Sequence, residues 1–184
     1  MQTQMMAIDQ QTATGLGFPK QKYMAVERER RWLCREVPRE RIVRTDIITD
    51  LYVTGARLRL RELRPGNGGA PLFKLGRKAD LDAQTRLITT IYLPEEEFAA
   101  VRASFQGFTI KKLRHKLQPL LGVPVSVDEF QGPLGGLVLA EAEFESAEAL
   151  AAFPAPDFIA REVTDDPRFS GGQLAKNGLP EDCF

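Results

Sequence analysis

The chain is short of several features, and each shortage removes a class of function. It has only two cysteines in 184 residues. Cys34 and Cys183 stand far apart, without the spacing of thiolate metal ligands. Free thiols in a cytoplasmic protein are the simplest expectation, and the sequence leaves a Cys34–Cys183 disulfide open. No apolar run approaches the roughly 20 residues of a membrane span. No charged stretch followed by an apolar one opens the chain, so no signal peptide is expected. The formal net charge is zero, which argues against a general binder of nucleic acid or of membrane surfaces. There is one histidine, His115, and Gly15-Leu16-Gly17 is too short for a nucleotide loop. With 43% hydrophobic and 27% charged residues, the composition is that of one soluble domain able to bury a core.

What the chain does have is charge sorted by strand. In Glu27-Arg28-Glu29-Arg30-Arg31 every second residue is Glu27, Glu29 or Arg31. Side chains of a strand alternate between its faces, so these three share one face. Arg57-Leu58-Arg59-Leu60-Arg61 alternates in the same way, as do Lys112-Leu113-Arg114 and Glu141-Ala142-Glu143. For any single strand a solvated face is the plainer reading. Four strands sorted into Glu-x-Glu, Arg-x-Arg and Lys-x-Arg argue for a common charged cavity.

Residues 1–21 are rich in Gln, Thr and Gly and lack periodicity, so they are expected to form a loose extension ahead of one domain at 22–184. Strands are predicted near 22–33, 42–52, 55–64, 71–78, 84–93, 108–118, 123–131 and 135–145. Pro94-Glu95-Glu96-Glu97 opens a helix whose apolar spacing runs through Phe98, Val101 and Phe105 to a stop at Gly107. Ser146 caps a short helix to Phe153, and Gly172–Lys176 is a third candidate. Many short strands with few helices indicate an α+β fold, an eight-stranded antiparallel β-barrel with a few flanking helices. A barrel whose inner face is charged is expected to be solvated and open, a tunnel.

On that inner face the expected acids are Glu27, Glu29, Glu141 and Glu143, and the expected bases are Arg31, Arg59, Arg61, Lys74, Arg86, Lys112 and Arg114. Seven bases against four acids leave an excess of three positive charges. Such a site should draw a compact polyanion, and a triphosphate or polyphosphate suits arginine forks and lysine point charges. The carboxylates are candidate ligands of Mg or Mn, which prefer hard oxygens. Phosphoryl transfer needs alignment and charge neutralisation above all. A glutamate beside the attacking water, Glu143 or Glu141, is the candidate base.

In this order the residues resemble the CYTH superfamily, the triphosphate tunnel metalloenzymes, whose members include class IV adenylyl cyclases, thiamine triphosphatases and inorganic triphosphatases. The resemblance runs over about residues 22–180. Val26–Leu33 resembles the family's opening Glu-x-Glu-x-Lys strand, and Tyr52 with Arg57–Arg61 its Arg-x-Arg strand. Phe73-Lys74-Leu75 resembles the lysine strand and Thr85-Arg86 the start of the Arg-x-Glu strand. Lys112-Leu113-Arg114-His115 resembles Lys-x-Arg-Tyr. Val127–Gly132 with Gly136–Glu143 resembles the late hairpin, and Glu162–Ser170 the C-terminal motif. The resemblance implies a tunnel barrel, hydrolysis of a small triphosphate, and a magnesium or manganese ion. It also suggests that Asp128 orients tunnel bases and that Arg31 takes the catalytic lysine's place.

The departures are specific. Arg31 replaces the signature lysine, Ile88, Thr89 and Thr90 replace the acids expected after Arg86, His115 replaces a tyrosine, and Gly171 an asparagine. Two functions therefore stay open: a metal-dependent triphosphatase, or a polyphosphate- or nucleotide-binding module that keeps the anion site without efficient turnover. The leaving group, the metal count and the oligomeric state, a dimer included, are left open by the sequence. Strand parity turns Trp32 and His115 away from the charged face, to structural roles.

Overall fold

The computed structural model describes residues 8–183. Nine strands form one antiparallel sheet: β1 Ala25–Cys34, β2 Ile42–Val53, β3 Leu58–Pro65, β4 Leu72–Asp80, β5 Thr85–Leu93, β6 Gly107–Leu117, β7 Val125–Phe130, β8 Val138–Glu143 and β9 Ile159–Glu162. The order is β5-β4-β3-β2-β6-β7-β8-β1, and β5 pairs back onto β1, which closes eight strands into a barrel. The helices are α1 Gln10–Gly15, α2 Glu95–Ser104, α3 Ala147–Ala152 and α4 Gly171–Asn177. The expected barrel with flanking helices is the fold observed. The ninth strand went unpredicted. It is four residues long, its burial does not alternate, and it pairs only with the end of β1.

The outer face carries most of the apolar core. Under α3, Trp32, Val125, Val127, Ala140 and Ala142 pack with Leu150 and Phe153. Under α2, the Phe73 and Phe98 rings lie 4.8 Å apart, and burying each ring stabilises the fold by about 1.5–3 kcal/mol. His115 is buried on this face between Thr45, 2.8 Å from Nδ1, and Glu129, 3.0 Å from Nε2. Trp32 and His115 thus take the structural places that parity assigned them.

The expected loose extension falls partly outside the described residues, since residues 1–7 are not among them. Its described part is built into the fold. Asp9 caps α1 by accepting from the Thr12 amide at 2.9 Å. Ala13 and Phe18 pack on Ala79 and Leu87 of the barrel wall. Arg77 lies over the Phe18 ring at 4.7 Å and donates to the Leu16 carbonyl at 2.8 Å. Two buried apolar residues and one guanidinium hold a segment whose composition shows no periodicity.

At one end of the barrel the inner face turns apolar. Leu33, Ile110, Phe130 and Leu139 meet Val163, Phe169 and Leu174 of the C-terminal segment there. The lumen is therefore apolar at that end, while Glu143 towards the other is exposed. The eight-stranded barrel with a charged inner face expected from the sequence is observed, with an apolar cluster at one end and several of its charged groups buried. Both cysteines are free and buried. Burial pushes the Cys34 thiol up to about 12, so it is inert as a nucleophile at neutral pH. No helix among the described residues is long and apolar enough to cross a membrane.

Candidate active site

Residues directly opposite in an antiparallel pair share a face, so the register alone assembles the charged lumen. Glu29 faces Glu143 and Arg31 faces Glu141 across β1–β8. Glu27 faces Arg86 across β1–β5. Arg61 faces Asp50 and Lys74, and Arg59 faces Tyr52 and Gly76. Arg114 faces Asp128 across β6–β7.

Running down β1 from the open end, the residues are Glu27, Glu29, Arg31 and Leu33. Glu27 accepts from Lys78 Nζ at 2.6 Å. Glu29, 5% exposed, accepts from Arg86 Nη1 at 3.1 Å to each carboxylate oxygen and also pairs with Arg31. Arg31 reaches Glu141 at 3.4 Å and the Phe169 carbonyl at 3.2 Å. Its guanidinium thus ties the two strands to the C-terminal segment.

Below the mouth lies a second layer of ion pairs. Asp128, 1% exposed, accepts from Arg114 at 2.6 and 2.5 Å and from Lys112 at 2.5 Å. Arg114 also reaches Glu141 at 2.6 Å. Asp50, fully buried, accepts both bonds of an Arg61 fork at 2.7 Å. Burial alone would raise these buried carboxyls. For Asp50 the charges of Arg61 and Arg59 overcome that and hold it well below the usual range. Arg114 and Lys112 do the same for Asp128, and with Arg31 for Glu141. Burial lowers Lys112 and Lys78, and their carboxylate neighbours offset it only in part.

The mouth is different. One carboxylate oxygen from each of Glu27, Glu29 and Glu143 lies within 4.8 Å of the others. Glu143 is raised by burial of its carboxyl and by repulsion from Glu27 and Glu29, with Lys78 opposing. Among the described residues it has no ion-pair partner within 4 Å. Three hard oxygen donors in mutual repulsion, one lacking a counter-charge, fit a divalent cation of the magnesium kind.

Of the residues the sequence proposes, the structure gathers Glu27, Glu29, Glu143, Arg31, Arg86, Arg59, Arg61, Lys112, Arg114 and Glu141 in the lumen. Glu141 lies outside the carboxylate trio, on Arg31 and Arg114, because its strand neighbour Arg31 reaches it first. Lys74 shares the face of Arg61 but rests 5.1 Å from the Tyr92 ring centroid, apart from the other charges. The lumen residues missed include Asp46, Asp50, Tyr52, Lys78 and Lys116. Lys78 has the same parity as Lys74, and that was the available signal. Adding Asp50, Asp128 and Lys78 lowers the positive excess from three to two. At Gly171 a Cβ would come within 1.9 Å of the Tyr52 hydroxyl oxygen. The tyrosine therefore fills the space that an asparagine side chain would need.

No model of a known protein family matches the chain. An inorganic triphosphatase of Acetivibrio thermocellus is 48% identical over 68 residues, 37% of this chain and 42% of that protein. An inorganic triphosphatase of Nitrosomonas europaea is 32% identical over 85 residues, 46% of this chain and 56% of that protein. The matches thus span about half the length of these curated relatives. A solved structure of the inorganic triphosphatase NE1496 aligns with a TM-score of 0.54 at 25% identity, over 81% of this chain and 93% of that one. The closed eight-stranded barrel, its lumen of alternating acids and bases, and these likenesses to inorganic triphosphatases together support the resemblance to the CYTH superfamily.

Proposed function

We propose that the chain hydrolyses a small triphosphate at the open end of the barrel, with inorganic tripolyphosphate as the simplest substrate. The supporting observation is the carboxylate trio of Glu27, Glu29 and Glu143 beside a wall of bases. Glu27, Glu29 and Glu143 would hold a magnesium or manganese ion. Such an ion supplies neutralisation of phosphate charge and makes water more acidic. Lys78 and Arg86 lie beside the trio and take the outer phosphates, while Arg59, Arg61, Lys112 and Arg114 carry positive charge elsewhere on the lumen wall. In the reaction the water oxygen bonds to the terminal phosphorus as the bridging P–O bond breaks. Orthophosphate and diphosphate leave, and Glu143, which no guanidinium or ammonium group holds, takes the water proton. Arg31 acts as a positioning residue for Glu29 and Glu141. The names of the relatives support the same activity class.

A thermal-shift titration tests this. Tripolyphosphate with Mg or Mn, at about 100 times its Kd, should raise the melting temperature by on the order of 5–10 °C. No shift with either metal would contradict the anion site. A second reading, a binder without efficient turnover, is favoured by Arg31, whose donors are already engaged by Glu29, Glu141 and Phe169. Both readings give the shift, and only the first gives phosphate release.

A further inference from the structure

The helices leave one strip of the outer wall bare. Ala13 of α1 packs on Ala79 and Leu87, Phe98 of α2 on Leu51 and Leu60, and Leu150 of α3 on the cluster around Trp32. The middle of β2 and β6 lies between them. Ile47 is 47% exposed there and faces the half-buried Leu113 across β2–β6. Neither side chain belongs to a core cluster among the described residues. The same row continues to Arg64 on β3 and to Glu129 on β7. Arg61 and Asp128 point into the lumen, so Arg64 and Glu129, of opposite parity, point out. Across four adjacent strands the row reads Glu129, Leu113, Ile47, Arg64: acid, apolar, apolar, base.

Such a row complements itself. Rotation about a two-fold axis along the strands, between β2 and β6, lays it on its own reverse. Glu129 of each copy then meets Arg64 of the other, and Leu113 meets Ile47. In the next row Lys111, Thr49 and Glu62 stand on β6, β2 and β3, and the same rotation brings Lys111 beside Glu62. The wall curves away from the axis, where the long Arg64 and Glu129 side chains can still reach. An apolar centre with a charged rim is the usual anatomy of an interface. Within one chain Arg64 and Glu129 pair with the exposed Glu62 and Arg39, contacts worth little and readily exchanged. The other Glu129 oxygen stays on His115. We propose that this strip joins two copies of the chain about a two-fold axis, since an isologous contact requires a self-complementary surface. The strip is narrow, so association is reversible. It lies outside the lumen and is independent of the proposed activity.

Sedimentation velocity of the full chain over a concentration series tests this. The wild-type mass should rise from 20.6 kDa toward twice that value. Arg64→Glu and Glu129→Lys should each weaken association by about tenfold or more, because a like-charge contact then forms twice. Mixed in equal amounts, the two variants should associate again. The substituted positions then meet each other with opposite charges, and the native pair forms once. Ile47→Asp, at an exposed position, should abolish association while circular dichroism shows the fold kept. A wild type that stays at 20.6 kDa at every concentration would overturn the proposal. So would an Arg64→Glu or Ile47→Asp chain that associates as wild type does, or a mixture of folded variants no more associated than its parts.

Discussion

Glu143→Gln is expected to lower kcat for triphosphate hydrolysis by roughly 10²–10⁴ while raising the melting temperature of the metal-free protein. The two effects share one cause. Glu143 sits within 4.8 Å of two other carboxylate oxygens and is raised by burial and by their charge. An acid whose folded pKa is raised costs stability once the pH exceeds its ordinary value, and the cost is complete above the folded value. At neutral pH the neutral amide relieves that cost. As the pH falls into the ordinary glutamate range, wild-type Glu143 takes up a proton and the difference should close. Thermal unfolding in chelator across this pH range checks the stability, and phosphate release checks the activity. A variant that is no more stable without metal, yet fully active with it, would remove Glu143 from both roles.

Asp128→Asn should cost about 3–5 kcal/mol of stability, the usual effect of breaking a buried ion pair from one side. For a chain of this length that is a fall in melting temperature of roughly 6–20 °C. Asp128 satisfies both Arg114 and Lys112. Once neutral, it leaves Lys112 without a carboxylate, while Arg114 keeps Glu141. Adding Lys112→Met to the variant should therefore recover part of the loss. The sign with pH is opposite to that of Glu143. The Asp128 carboxyl is held below its ordinary value, so its contribution is complete above that value and is lost as pH falls through the folded one. The gap between wild type and variant should persist through mildly acidic pH and close only in strong acid. A loss under about 1 kcal/mol in denaturant unfolding would mean that the lumen charges are solvated after all.

Strand parity made most of this site legible. Glu27, Glu29 and Arg31, and likewise Arg59 and Arg61, announce a charged face because each group repeats every second residue. Asp50 does not, standing alone in Ile48-Thr49-Asp50-Leu51-Tyr52, and only the register with Arg61 reveals it. Lys78 was obscured because Lys74 and Lys78 share a face and Gly76 between them carries no side chain. The apolar end of the barrel was hidden for a different reason. Leu33, Phe130 and Leu139 share a face with charged residues, and their apolar partners Phe169 and Leu174 come from the far end of the chain. Long-range pairing of that kind leaves no periodic trace. The helix α1 was missed because Ala13 and Phe18 gain their meaning only from Ala79 and Leu87.

The most direct test of the account is phosphate release from tripolyphosphate with Mg or Mn, against a chelated control and Glu27→Gln. Glu27 reaches Lys78 near the barrel mouth, so its amide variant should fold. The account predicts turnover that requires the metal and falls at least about a hundredfold in the variant. Turnover that is equal with and without metal, or equal in the variant, would contradict it.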